Sequence, residues 1–136
     1  MTTAPPIVVT AAVVERAGAL LVTRRLEGTH LAGHWEFPGG KCEPGEEPRA
    51  CLAREVREEL GVGADVGDEI HRTFYAYGER RLELVFFRCS LDGEPQPLLG
   101  QEIRWVSRAD LPSLAFPPAD AELIQLLQRE DDDQPR

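Results

Sequence analysis

The chain has 136 residues and a formal net charge of −9, with 42% hydrophobic and 29% charged residues. This length and composition predict one globular domain over residues 1–136. The acidic charge argues against a nucleic-acid polymer as partner, because binding many phosphates requires a basic surface. No apolar run is long enough to span a bilayer, and the N-terminus lacks the regions of a secretory signal, so no membrane partner is expected.

Three strands are predicted in the first third of the chain. Ile7–Val14 is almost continuously apolar and β-branched, which is typical of a strand buried on both faces. After a short turn, Ala19–Arg25 returns as a second strand. A loop over Glu27–His34 then leads into a short strand at Trp35–Lys41.

A helix with two contrasting faces follows a glycine-rich loop. Pro48 suits its first turn, and Gly61 suits the left-handed position just past its end. One face is apolar and is formed by Leu52, Val56 and Leu60. Another face carries carboxylates at positions i, i+3 and i+4, namely Glu55, Glu58 and Glu59. Like charges at this spacing repel one another. The face is therefore either solvated or neutralised by a hard cation such as Mg²⁺ or Mn²⁺, which prefers oxygen ligands.

The loop and helix together resemble the Nudix box. From Gly40, five residues lead to Glu46, and seven more lead to the run Arg54–Val62, so every fixed position of the box is filled. At residue frequencies of roughly one in fifteen, seven fixed identities would coincide once in ~10⁸ placements. The resemblance implies the α/β Nudix fold, a mixed β-sheet sandwiched between helices (α/β/α). It also implies a hydrolase in which water attacks a diphosphate linkage with the help of a metal.

The resemblance also implies a metal site for Mg²⁺ or Mn²⁺. Its ligands would be the backbone carbonyl of Gly39 and the carboxylates of Glu55, Glu58 and Glu59. Arg54 matches the family arginine that positions these acids by ion pairing. Glu46 matches a position that steadies the loop and the start of the helix. These two residues and the three glutamates form the catalytic group that the resemblance implies.

Segments outside the box resemble the MutT-like branch of the family and imply four substrate-binding residues. Arg25, the second of an arginine pair, would lie near the phosphates, with an ordinary surface charge as the alternative. Phe37 is either a core residue or a wall against the base. Arg80 lies near the base or is an exposed hairpin arginine. Asp120 either reads the base edge or caps the last helix.

The second half of the chain predicts a hairpin and a last helix. Strands over Ile70–Tyr77 and Arg81–Cys89 are joined by a short turn. The last helix is expected over Ala119–Gln128, with Leu123 among its core residues. The acidic tail Glu130–Arg136 is expected to be disordered.

One position departs from the MutT-like pattern. The stretch beginning at Gly100 often follows a glutamate in these proteins, and that glutamate adds metal binding or acts as the base. Leu99 takes its place here, which leaves the identity of the general base open. Glu102 is the nearest carboxylate, with a structural role as the alternative.

The three cysteines form no C-x-x-C pair, and an odd number predicts a reducing cytoplasm rather than a disulfide framework. Cys51 in the helix and Cys89 in a strand are expected to be small core residues. Cys42 lies in the loop, where exposure is possible. The predicted location is cytoplasmic, and the chain is expected to be a monomer or a homodimer.

The resemblance implies a Mg²⁺-dependent pyrophosphohydrolase for a small nucleotide. It would cleave a nucleoside triphosphate, of the 8-oxo-dGTP or (d)CTP type, to the monophosphate and pyrophosphate. One alternative is hydrolysis of a nucleoside diphosphate linked to a sugar, such as ADP-ribose. Another is a nucleotide-binding module that has lost catalysis, which Leu99 makes conceivable and the three intact box glutamates argue against.

Overall fold

The structure, a computed structural model, describes residues 5–132, apart from the side chains of Tyr77, Asp131 and Asp132. Its strands in chain order are β1 (Ile7–Arg16), β2 (Ala19–Arg24), β3 (Trp35–Glu36), β4 (Gly39–Lys41), β5 (Ala64–Tyr77), β6 (Arg80–Leu91) and β7 (Ile103–Ser107). The helices are α1 (Pro48–Leu60) and α2 (Ala121–Asp132), and 3₁₀ turns lie at Arg108–Ser113 and Pro118–Asp120. Neither α-helix of the described residues is long and apolar enough to cross a membrane.

The strands form one mixed sheet with β1 at its centre. Its order is β3-β2-β1-β6-β5, with β4 paired to β1 and β7 paired to β2. β1 runs parallel to β6 and antiparallel to β4 and β2. The parallel pairing places the second half of the chain beside the first. β1 precedes α1 in the chain, β6 follows it, and the two strands are neighbours in the sheet.

Apolar side chains fill both faces of this sheet. On the face covered by α2, Val13 and Phe86 pack with Leu123 and Leu127. On the face covered by α1, Val85 and Phe87 pack with Ala12 and Val14 and with the apolar side of the helix. Because neighbouring residues of a strand point to opposite faces, β1 and β6 each supply both cores. The predicted α/β fold, a mixed sheet between helices, is confirmed.

The ends of α1 follow the sequence signals. Glu47 precedes the helix and accepts a hydrogen bond from the N–H of Ala50 through its side chain (3.1 Å), and Pro48 is the first helical residue. Gly61 ends the helix with φ of 71° and donates its N–H to the carbonyl of Arg57. α1 therefore begins and ends at fixed points, which sets where its acidic side chains lie.

Several predicted boundaries are wrong. The strand expected at Trp35–Lys41 is two strands, because Pro38 lacks an N–H and interrupts the pairing. β5 begins at Ala64 rather than Ile70 and passes through register shifts before His71. The last helix begins after a 3₁₀ turn and continues to Asp132, so the first residues of the expected disordered tail are helical. Residues 133–136 of that tail lie outside the described residues.

Candidate active site

The two glycines of β4 bring its backbone close to both β1 and α1. β4 pairs with β1 so tightly that a Cβ on Gly39 would lie 2.0 Å from the carbonyl oxygen of Thr10. A Cβ on Gly40 would lie 2.5 Å from Oε2 of Glu55. The absence of these side chains lets the Glu55 carboxylate lie directly over the strand backbone.

Arg54 connects the loop to the acidic face of α1. Its Nε and Nη2 donate to Oε2 (2.8 Å) and Oε1 (2.9 Å) of Glu46, a paired contact. Its Nη1 donates to Oε1 of Glu55 (3.1 Å) and Oε2 of Glu58 (3.2 Å). The hydrogen bond from Arg54, followed by that from the Glu43 N–H, lowers the pKa of Glu46 to about 2. One guanidinium thus holds the loop and contacts two members of the acidic cluster, which consists of Glu55, Glu58 and Glu59.

Glu59 is the buried member of the cluster. Its Oε2 has no hydrogen-bond partner within the described part of the chain. Burial, followed by the nearby charges of Glu36 and Glu55, raises the pKa of Glu59 to about 8. Burial is also the main cause of the raised pKa of Glu55. Glu58 differs, because its side chain is 58% exposed.

A buried carboxylate oxygen without a partner is costly unless something compensates its charge. Carboxylate and carbonyl oxygens are the ligand types that a hard divalent cation such as Mg²⁺ or Mn²⁺ takes. The residues predicted as metal ligands, namely Gly39, Glu55, Glu58 and Glu59, all lie on β4 or on one side of α1. The donor types of these residues therefore fit a divalent cation.

A cavity of about 680 Å³ opens beside this cluster. Its lining includes Gly39, Glu55 and Glu59 from the cluster. The four residues predicted to bind substrate also line it, namely Arg25, Phe37, Arg80 and Asp120. A cavity of this size is in the range that small-molecule ligands occupy. β4, β6, the segment around β3 and the end of the 3₁₀ turn before α2 thus contribute to one space, although they are far apart in sequence.

Two of these residues have clear packing partners. Arg25 Nη1 donates to Oε2 of Glu36 (2.8 Å), and its Nε donates to the carbonyl of His30. Phe37 is buried and stacks on Phe116 with ring centroids 5.4 Å apart. Phe37 is therefore part of the core and also lines the cavity.

Asp120 is buried at the end of the 3₁₀ turn that precedes α2. Within the described residues, no hydrogen bond joins its carboxylate to the first turn of α2. Burial, followed by the charge of Glu36, raises the pKa of Asp120 to about 7. Asp120 lines the cavity, which favours the predicted contact with substrate over the capping role.

Glu36 was not predicted from the sequence. It lines the cavity, and its pKa is raised mainly by burial. Its charge also raises the pKa of both Glu59 and Asp120. The available signal was a charged residue between two aromatic ones, Trp35 and Phe37, in a short strand.

Leu99 and Glu102 take different positions. Leu99 is half exposed and lines a smaller cavity of about 180 Å³ together with Glu36 and Glu59. Its N–H donates to Oε1 of Gln101 (2.9 Å), and Nε2 of that glutamine donates to the carbonyl of Glu59 (3.0 Å). Glu102 instead pairs with Arg24 and Arg104 at the surface. That pairing favours the structural role of Glu102.

The cysteines do not match the expectation of free thiols. Cys42 and Cys51 form a disulfide, with Cα atoms 5.3 Å apart. The loop turns back over the first turn of α1, so two residues that are 9 apart in sequence meet. Cys51 is nevertheless fully buried, as expected, whereas Cys89 is free and half-buried.

Comparison with known proteins gives a consistent result. The NUDIX domain family model matches residues 4–127. The chain is 39% identical over 114 residues to an 8-oxo-dGTP diphosphatase of Haemophilus influenzae, covering 83% of this chain and 84% of that protein. It is 36% identical over 118 residues to a CTP pyrophosphohydrolase of Escherichia coli, covering 86% and 87%. The solution structure of the E. coli ORF135 protein superposes with a TM-score of 0.84 at 34% identity, covering 95% and 93%.

Proposed function

This chain belongs to the NUDIX domain family, and from that premise we propose that its cavity binds one nucleoside triphosphate and releases the monophosphate and pyrophosphate. The observation that carries the proposal is the buried carboxylate of Glu59, which lies at the wall of the cavity and whose Oε2 has no partner among the described residues. A divalent cation, brought in with the triphosphate, would supply the compensating positive charge. Relatives named 8-oxo-dGTP diphosphatase and CTP pyrophosphohydrolase support this reaction class.

Gly39, Glu55, Glu58 and Glu59 are the residues that would hold Mg²⁺ or Mn²⁺. A bound ion of this kind lowers the pKa of a water and neutralises charge on phosphate oxygens. Arg54 would keep Glu55 and Glu58 in place, since its guanidinium contacts both. Glu46 would in turn keep Arg54 in place, as its two oxygens take two of the guanidinium N–H groups.

Arg25 and Arg80 are the cations proposed to face the substrate. Both line the cavity, and a guanidinium suits phosphate oxygens. Arg25 is already oriented by Glu36 and the carbonyl of His30, through Nη1 and Nε, so Nη2 is the nitrogen proposed to meet a phosphate. Phe37 would supply an apolar surface beside the base.

Glu36 and Asp120 are proposed to read the base. Above its raised pKa each carboxylate only accepts hydrogen bonds, so the two together favour a base edge that carries donors. Guanine offers N1–H and the N2 amine, and cytosine offers the N4 amine. These bases occur in the nucleotides that the two named relatives act on.

A nucleotide panel tests this function directly. The protein would be incubated with Mg²⁺ and each of the (d)NTPs, 8-oxo-dGTP and ADP-ribose, with separate detection of pyrophosphate and orthophosphate. We expect pyrophosphate and a nucleoside monophosphate, with a guanine-type or cytosine triphosphate as the best substrate. Cleavage of ADP-ribose alone would instead support the sugar-linked alternative.

The raised pKa of Asp120 leads to a prediction on stability. Its ordinary pKa is 3.8, and the folded value is about 7. Between these values the folded protein retains a proton that the unfolded chain has released. Raising the pH through this window therefore lowers the free energy of unfolding, and the loss is complete above the folded pKa. Asp120→Asn removes the titration, so the variant should gain melting temperature relative to wild type from about pH 4 to about pH 7.

Thermal unfolding of both proteins across this pH range, without metal, checks the expectation. Asp68→Asn is the matched control, because Asp68 is exposed. Asp120→Asn should also change the preference among bases in the nucleotide panel, since an amide adds a donor where the carboxylate only accepts. A constant difference in melting temperature across the pH range would contradict the assignment of the buried titration to Asp120.

A further inference from the structure

We propose that the Cys42–Cys51 disulfide is a redox control of the acidic cluster, in which opening the bridge loosens the segment that holds Arg54. The inference rests on the proposed function for its catalytic consequence. Its structural basis is independent of the substrate. The bridge joins the residue after β4 to the first turn of α1 and closes the segment 43–50 between them.

The closed segment carries the group that orients Arg54. Glu46 lies within it and takes two hydrogen bonds from that arginine, at 2.8 and 2.9 Å. Glu46 is itself oriented by the N–H of Glu43 (2.9 Å), also inside the segment. The carbonyl of Lys41, just before the segment, accepts from Nη2 of the same arginine (3.2 Å). The position of the guanidinium therefore depends on the conformation of this loop.

Besides the bridge and the Arg54–Glu46 contact, the segment is attached through Arg49, whose Nη2 donates to the carbonyl of Gly67 (3.1 Å) and whose guanidinium lies 5.0 Å from the Phe87 ring centroid. Every side chain from residue 43 to residue 50 is exposed or half-buried, so none is anchored in a core. Its backbone contacts are local, as in the hydrogen bond from the Glu46 N–H to the carbonyl of Glu43. The bridge to Cys51 is a covalent tie between this loop and the buried part of the molecule. Cys51 itself is fully buried, with its Sγ 3.4 Å from Oγ1 of Thr10.

The two sulfurs differ in access, which defines how exchange would proceed. Cys42 is half-buried, so a small thiolate can reach its sulfur. Cys51 is fully buried, so its sulfur is not accessible. A low-molecular-weight thiolate attacks Sγ of Cys42, and the S–S bond breaks with its electron pair leaving on Cys51, which takes up a proton. A second small thiolate attacks the small-molecule sulfur of the mixed disulfide, and Cys42 leaves as a thiolate that takes up a proton. The products are two protein thiols and one small disulfide. Oxidation by a small disulfide is the reverse reaction.

A soft-metal site is the alternative use of these sulfurs. One oxygen of Glu46 and the two sulfur atoms lie within 4.8 Å of one another. However, both oxygens of Glu46 are already engaged by Arg54. The sulfur pair is therefore better explained as a cross-link. Neither cysteine belongs to the two apolar clusters of the core. Where a disulfide occurs in a reducing compartment, it is usually transient or redox-sensing.

The test uses a Cys89→Ser background, which removes the free thiol and leaves only the bridging pair. The oxidised protein, the protein reduced with dithiothreitol and a Cys42→Ser variant are compared. Alkylation and mass measurement count the thiols in each. On reduction we expect two new thiols and a fall in melting temperature of about 5–10 °C. The Mg²⁺ concentration needed for half-maximal activity should rise by ~10-fold, the lower range for losing a group that positions metal ligands.

Cys42→Ser should behave like the reduced protein and should not respond to dithiothreitol. The proposal is overturned if alkylation shows an open bridge while the melting temperature and the Mg²⁺ dependence stay unchanged, or if Cys42→Ser responds as the parent does. Mg²⁺ binding measured by calorimetry, without nucleotide, reports on the cluster even if no triphosphate is cleaved. Failure of the proposed function is thereby distinguished from failure of the redox control.

Discussion

Replacing Glu59 with glutamine is expected to lower hydrolysis by ~10²–10³-fold without lowering the melting temperature of the metal-free protein. The two effects have one cause. Glu59 is buried beside Glu36 and Glu55, and its Oε2 has no partner in the described residues. An amide of nearly the same shape cannot ionise, so the variant avoids the cost of burying an ionisable carboxyl and loses a proposed metal ligand.

Steady-state kinetics at saturating Mg²⁺ and thermal unfolding with and without Mg²⁺ measure the two effects. Mg²⁺ should raise the melting temperature of wild type, because a ligand that binds only the folded state stabilises it, and should raise that of Glu59→Gln less. Glu94→Gln is the control, since Glu94 is exposed and forms a surface ion pair with Arg16. Near wild-type turnover in Glu59→Gln, or equal Mg²⁺ shifts in both proteins, would refute the assignment of Glu59 to the metal site.

The acidic cluster was accessible from the sequence because it is built within one helix. Residues at i, i+3 and i+4 share a face whatever the rest of the fold does, so the spacing alone places Glu55, Glu58 and Glu59 together. Pro48 and Gly61 likewise act locally, and α1 has the predicted ends. Local geometry alone made this part of the site predictable.

The cavity was not accessible in the same way. Arg25, Arg80 and Asp120 meet only because β1 pairs in parallel with β6 and because a 3₁₀ turn brings the start of α2 to the sheet. Neither contact leaves a periodic signal, so these residues were named from resemblance. Glu36 had no such guide and was missed.

Pro38 explains why the Glu36 side chain was overlooked. In one continuous strand at Trp35–Lys41, successive side chains would point to opposite faces of the sheet, so Glu36 and Gly39 would lie on opposite faces. The proline instead separates β3, which pairs with β2, from β4, which pairs with β1. Glu36 and Gly39 therefore reach the same cavity from different strands.

The disulfide was missed for another reason. Counting cysteines assumes that an odd number leaves them unpaired, whereas pairing depends on distance. The loop before α1 reverses direction within the nine-residue separation and brings Cys42 to the helix. Composition carries no information about this reversal.

The two adjacent glycines of β4 should respond differently to alanine. Gly39→Ala would place a Cβ 2.0 Å from a backbone oxygen of β1, at a φ of 154°. Backbone cannot yield as a side chain does, so the pairing of β4 with β1 must shift. We expect a fall in melting temperature of about 5–10 °C, corresponding to an overpacking cost of roughly 1–3 kcal/mol, together with loss of activity.

Gly40→Ala should separate stability from activity. Its Cβ would meet the end of the Glu55 side chain, at 2.5 Å from Oε2 and 2.6 Å from Cδ, and that carboxylate can move aside. The fold should keep its melting temperature, while activity falls by ~10–100-fold because a proposed metal ligand is displaced. Gly93→Ala is the matched control, since a Cβ there makes only an ordinary contact of 3.5 Å with Val62. If Gly40→Ala loses melting temperature as Gly39→Ala does, the new methyl group displaces the backbone rather than the Glu55 carboxylate. If it retains full activity, Glu55 is not needed in its present position, and the proposed ligand set must be redrawn without it.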